Sequence, residues 1–170
     1  MIRATNNTDR YPVLEEYRAA CEAWPTLAWD YDKFARRYRR SIEALSQRSL
    51  HSADLYLAGA AAEGIAEAWR LIETEYGPRV IRSMQRRRRI SEEAAEDIWC
   101  ETRTRLMEPV EIADASGTAA RIGHYKGNTP LLSYMLAAVS NRMNDRIRRE
   151  KVRQTQAMPQ VAGGLADADG

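Results

Sequence analysis

Gly127 to Lys151 reads GNTPLLSYMLAAVSNRMNDRIRREK. Thr129-Pro130 is a helix-start signal, a hydroxyl at the N-cap followed by proline at the first helical position, where its missing N–H costs nothing. Behind it, apolar residues recur three and four apart. On a wheel of about 100° per residue, Leu132, Met135, Leu136, Val139, Met143 and Ile147 fall on one side as a core stripe. Tyr134, Asn141, Asp145 and Arg148 lie on the other side, with Arg142, Arg146 and Arg149 along one flank.

The same spacing recurs along the chain, and no segment keeps up a period-two alternation bounded by turns. Helices are predicted over Val13–Ala23, Tyr31–Gln47, Ala53–Gly64, Ala66–Arg88, Glu92–Glu108 and Pro130–Arg153, an all-α fold built as a compact helical bundle. Ser91 followed by Glu92 and Glu93 reads as an N-cap with acids in the first turn. Pro12, Pro25 and Pro109 punctuate the chain. Residues 109–129 hold Gly117, Gly123 and Gly127 with little periodicity, so a long loop with a short helical turn is expected there, of the kind that often carries function. The last residues, QAMPQVAGGLADADG, are small, acidic and patternless, and read as a flexible tail or linker.

At 170 residues and 44% hydrophobic, the chain suffices for one domain with a real core and an extension. No apolar run approaches the length of a bilayer, and the first residues, MIRATNNTDRYP, carry no signal-peptide core, so no membrane partner is expected and a cytoplasmic location is. Cys21 and Cys100 form no C-x-x-C pair and are read as plain thiols. Enzyme signatures are missing: no glycine-rich phosphate loop, no H-E-x-x-H and no nucleophile elbow. His51 and His124 stand alone and read as cap, loop or surface residues. Neither a cofactor nor a metal is called for.

Net charge is only +2, but it is unevenly distributed. Arginine concentrates at Arg79 to Arg89 and at Arg142 to Arg153, whereas Glu92 to Glu111 is mostly acidic. The acidic helix places Ala95, Ile98, Thr102, Arg105 and Leu106 inward, with Trp99 at the edge, and Glu93, Asp97, Cys100, Glu101, Thr104 and Glu108 outward. Separate acidic and basic surfaces, each meeting a different partner, are the expectation. The outward face of the last helix offers an aromatic, an amide and several guanidinium groups, suited to stacking on bases, bonding base edges and gripping phosphates. A solvated face with Asp145 and Glu150 paired to neighbouring arginines is the bland reading of the same residues.

The order of these pieces resembles region two of bacterial RNA polymerase sigma factors, most of all the extracytoplasmic-function group. The run YGPRVIRSMQRRRRISEEAAEDIWCETRTRLM, a glycine-bearing loop, and YKGNTPLLSYMLAAVSNRMNDRIRREK follow the family's helices in turn. Ala95-Glu96-Asp97-Ile98 stands where the family has its Ala-Glu-Asp-Leu motif. Asn141, Asp145, Arg146, Ile147, Arg148 and Arg149 fall into register with the arginine-rich third helix. HSADLYLAGAAAEGIAEAWRLIETEYGPRV looks like the lead-in of some members. The family's glutamine in the second helix is Cys100 here, and its tryptophan before the third helix's core is Tyr134.

The resemblance implies a sigma factor that binds core RNA polymerase and recognises and melts the downstream promoter element. Asp97, Cys100, Glu101 and Thr104 would meet the clamp helices of the polymerase's largest subunit. Tyr125 and Tyr134 would stack on bases of the promoter DNA, and Asn128 and Asn141 would bond base edges. Lys126, Thr129, Arg142, Arg146, Arg148 and Arg149 would complete the DNA grip, and an anti-sigma factor is a possible partner. By this reading residues 1–50 are an N-terminal helical extension, 51–153 the region-two-like domain and 154–170 the tail, with VAGGLADADG standing where a linker to the family's helix-turn-helix half would begin. The extension lies outside the resemblance, and its aromatics Tyr11, Tyr17, Trp24, Trp29, Tyr31, Phe34 and Tyr38 are expected to cap the core, with a docking surface as the alternative. A helical regulator that keeps the fold but acts by protein contact alone is the competing expectation.

Overall fold

The computed structural model describes residues 10–46, 49–111 and 117–157. Helices dominate: α1 (Arg10–Ala23), α2 (Tyr31–Leu45), α3 (Ser52–Ala62), α4 (Ala66–Leu71), α5 (Gly77–Arg88), α6 (Glu92–Met107) and α7 (Leu131–Ala157). The all-α reading holds, with one local correction. Within the predicted loop, β1 (Pro109–Glu111) pairs antiparallel with β2 (Thr118–Ala120), and a single 3-10 turn follows at Arg121–His124. Strands of three residues are too short to show alternation. No helix among the described residues is long and apolar enough to cross a membrane.

The stretch predicted as one helix, Ala66–Arg88, is split by a π turn at Ile72–Tyr76, where the Gly77 N–H reaches back to the Ile72 carbonyl. Pro78 explains the position, because its ring has no N–H and collides with the carbonyl four residues back in a regular helix. Widening the preceding turn relieves that collision. α7 runs four residues past its predicted end. Residues 158–170, the greater part of the expected tail, lie outside the described residues, as does Gln47.

α3 is the centre of the molecule. Nine of its eleven residues, Ser52 and Leu55–Ala62, are buried, so it is apolar all round rather than striped. α1, α2, α4 and α7 pack around it. The aromatics of residues 1–50 cap this core as expected: Trp29, Phe34 and Tyr38 are buried, and Tyr17, Trp24 and Tyr31 pack partly buried against them. The Tyr11 side chain is outside the described set. Tyr56 of α3 ties the segment down, donating to the Leu27 carbonyl (2.9 Å) and accepting from the Trp29 N–H (2.8 Å), while Tyr17 donates to the Trp29 carbonyl (2.8 Å). Ring pairs such as Trp29–Tyr56 (5.7 Å, 71°) meet edge to face, the arrangement their quadrupoles favour. Gly59 sits beneath the Trp29 ring, where a Cβ would overlap it.

Ser91 caps α6, accepting from the Ala94 N–H at 3.2 Å. The cap of α7 is not the expected Thr129. Asp54 of α3 accepts from the Leu131 N–H at 2.8 Å and also from the Tyr76 hydroxyl at 2.7 Å. One carboxylate thus joins α3, the π turn and the start of α7.

Candidate nucleic-acid and partner interface

α6 and α7 lie against each other, and their charges meet along the seam. Arg142 Nε donates to Glu101 Oε2 at 2.7 Å, Arg146 pairs with both oxygens of the same carboxylate, and Arg105 reaches Asp145 at 3.5 Å. The Arg146 hydrogen bond, and after it that of Arg142, holds the Glu101 carboxyl below its usual range, and Glu101 in return raises Arg146. The expectation of two separate surfaces therefore needs correcting. A helical wheel fixes directions within one helix, and here the acidic flank of one faces the basic flank of the next. Glu101, assigned to polymerase, and Arg142 and Arg146, assigned to DNA, engage one another.

The remaining calls divide by exposure. Asp97, Cys100 and Thr104 are exposed on α6, though the Thr104 hydroxyl is already donating to the Cys100 carbonyl (2.9 Å). Arg105, read as inward, is exposed, while Ile98, Thr102, Leu106 and Trp99 are buried. On α7, Met135 and Val139 are buried, Leu132, Leu136 and Met143 partly so, and Ile147 is 50% exposed, which removes it from the core. From Ile147 to Ala157 every residue of α7 is exposed, so this end of the helix stands clear of the core. Asn141, Arg148 and Arg149 stand in solvent as expected.

The loop before α7 departs further from its reading. Lys126, Asn128 and Thr129 are exposed, but Tyr125 is only 2% exposed and offers no stacking surface. Its hydroxyl donates to the Thr129 carbonyl at 2.6 Å, and its ring meets that of half-buried Tyr134 at 5.3 Å, edge to face. Arg37 of α2 fixes the segment by donating to the carbonyls of Gly123 (3.0 Å) and Tyr125 (2.8 Å), and loss of solvent draws its pKa down to about 10, so it is charged at neutral pH. Gly127 completes the turn at φ +79, a conformation that favours glycine, and its carbonyl accepts from the His51 N–H at 2.8 Å. His51 and His124 are both exposed.

These elements leave a groove of about 280 Å³ between α6, α7 and the 3-10 turn, lined by Arg105, Arg121, Tyr134, Asn141, Arg142 and Asp145 among others. Arg121 enters it with a buried Nε that has no hydrogen-bond partner among the described residues. Sequence reasoning found Tyr134, Asn141 and Arg142 but missed Arg105, Arg121, Arg37 and Asp54. Their roles depend on what folding places beside them, for which periodicity carries no signal. Compared with protein families, curated proteins and solved structures, the chain gives no significant match.

Proposed function

We propose that the chain is a sigma-region-two-like factor that binds core RNA polymerase and holds the non-template strand of the downstream promoter element as the duplex opens. The observation that carries this reading is the groove, lined by an aromatic (Tyr134), an amide (Asn141) and three guanidinium groups, Arg105, Arg121 and Arg142, whose carboxylate partners Asp145, Glu108 and Glu101 a phosphate would have to displace. Such a set matches an unstacked base and its phosphates: the amide can donate and accept toward a base edge, and guanidinium groups favour phosphate. Arg148 and Arg149 extend the basic surface along the free end of α7. Asp97 and Cys100 leave an exposed face on α6 for the polymerase clamp.

A second reading, a sigma-like regulator that acts by protein contact without promoter selection, is favoured by the closure of Glu101 against Arg142 and Arg146. Run-off transcription with core polymerase separates the two. Promoter-dependent transcripts on adding the protein support the sigma reading. Core binding without any promoter preference overturns it in favour of the regulator.

A further inference from the structure

α5 carries the largest concentration of arginine that neither the groove nor α7 uses. Its buried side is formed by Gly77, Val80 and Met84. At about 100° per residue, Arg79, Arg82 and Arg86 form a stripe on the opposite side, Arg89 follows at the C-cap, and all four are exposed. With a rise of about 1.5 Å per residue, the four span roughly 15 Å. None of these arginines makes an ion pair among the described residues, and α5 itself contains no acid to supply one. Glu75 and Glu92 flank the stripe in sequence without pairing with it.

We infer that this stripe is a second polyanion-gripping surface, and that its partner is the phosphate backbone of double-stranded nucleic acid, bound without regard to sequence. Four like charges in line repel one another, and an anionic partner relieves that repulsion. The negative end of the helix dipole favours Arg86 near the last turn but does nothing for Arg79 and Arg82. Arg89 holds a left-handed conformation (φ 52) at the end of α5, a site that glycine or asparagine fills at lower cost. The face is wrong for a protein partner, which wants an apolar centre: among the described residues the large exposed hydrophobics are Met107, Ile147 and Val152, none of them on α5. It also lacks an exposed aromatic for stacking on single-stranded bases. A rigid row of charges fits a rigid duplex, which presents one negative charge per about 1.7 Å of axis. The inference does not depend on the sigma-like reading, because it requires neither polymerase nor a promoter.

The test is fluorescence anisotropy of the full chain with a labelled random-sequence DNA duplex across a salt series, comparing the parent with the triple change Arg82→Gln, Arg86→Gln and Arg89→Gln. The exposed positions leave the melting temperature unchanged. Affinity falls by about tenfold or more, and the slope of log affinity against log salt flattens by roughly 2 to 3, close to 0.9 per lost phosphate contact. Changing Arg148 and Arg149 to alanine in the same protein lowers affinity separately and additively. A folded triple variant with parental affinity and slope overturns the inference. So does tighter binding of polyglutamate than of the duplex, which assigns the stripe to an acidic protein. Loss of promoter selection in the transcription assay leaves it standing.

Discussion

The carboxylate of Asp54, in the first turn of the apolar helix α3, lies 2.8 Å from the backbone N–H of Leu131 and caps a helix that begins 77 residues later. Its second oxygen accepts from Tyr76 at 2.7 Å. The bonds replace the local cap that Thr129 was expected to provide. Replacing Asp54 by alanine should therefore lower unfolding free energy by about 1 to 3 kcal/mol, the loss of a cap plus a tyrosine hydroxyl left without its acceptor. Urea unfolding measures it, and a midpoint equal to the parent's would show that water caps α7 equally well.

Val139 and Ile147 share one side of the wheel but not one environment, at 1% and 50% exposure. Val139→Asp should abolish cooperative folding, since an unpaired charge would enter the core. Ile147→Asp should change stability by no more than about 0.5 kcal/mol. Circular dichroism melts of the two variants distinguish them, and equal destabilisation would place the end of α7 against the body.

Gly59 lies under Trp29, so Gly59→Ala forces the indole to move or the helices apart, at a cost of about 1 to 3 kcal/mol. Because the two residues touch, combining it with Trp29→Phe should cost less than the sum of the single changes. Strict additivity in a denaturation cycle would mean that the ring does not rest on that glycine.

Glu101 gives the acid side of the stability profile. Hydrogen bonds from Arg146 and then Arg142 hold its carboxyl below the usual range, so the pairing contributes fully above the ordinary carboxylate pKa and is lost as pH falls through the lower, folded value. With the carboxylate 36% exposed, solvent limits the effect to about 1 kcal/mol or less. Glu101→Gln should lower the melting temperature slightly at neutral pH and remove that segment of the acid decline. Parallel pH profiles for the two proteins would show that the seam contributes nothing.

Asn141 and the pair Arg148 and Arg149 should separate base preference from strength. Asn141→Ala alters discrimination among bases at one position with little change in salt slope, whereas alanine at both arginines weakens every sequence and flattens the slope by roughly 1.4. Holoenzyme binding to single-stranded promoter fragments over a salt series reads both. Untouched affinity in the double variant would reduce this end of α7 to solvated surface.

The helices were legible because their cause is local. The spacing in α6 and α7 and the hydroxyl of Ser91 act within a few residues, and the folded chain keeps them. What periodicity missed lies between elements. A wheel assigns Ile147 to the core side without knowing that α7 is exposed all round from that residue onward. It aims Glu101 outward without knowing that Arg142 and Arg146 wait there. Tyr125, an aromatic in a glycine-bearing loop, looked presentable to a ligand, yet Arg37 from α2 draws the surrounding backbone in and buries the ring. The three-residue strands are set by each other rather than by any pattern in either.

The π turn that Pro78 favours also resolves a problem of phase. Ala68, Ile72, Tyr76, Val80 and Met84 are all buried, and they stand at strict intervals of four. A regular helix closes a turn in about 3.6 residues, so every fourth residue advances about 40° around the axis. Four such intervals carry the stripe nearly half-way round and would point Met84 toward water. One under-wound turn runs the phase backwards in the middle of the series and keeps both ends on the same side. The arithmetic also says what would restore the phase: a chain lacking Thr74 would space these residues as an unbroken α-helix prefers. At this joint the count of residues and the ring of Pro78 act in the same direction.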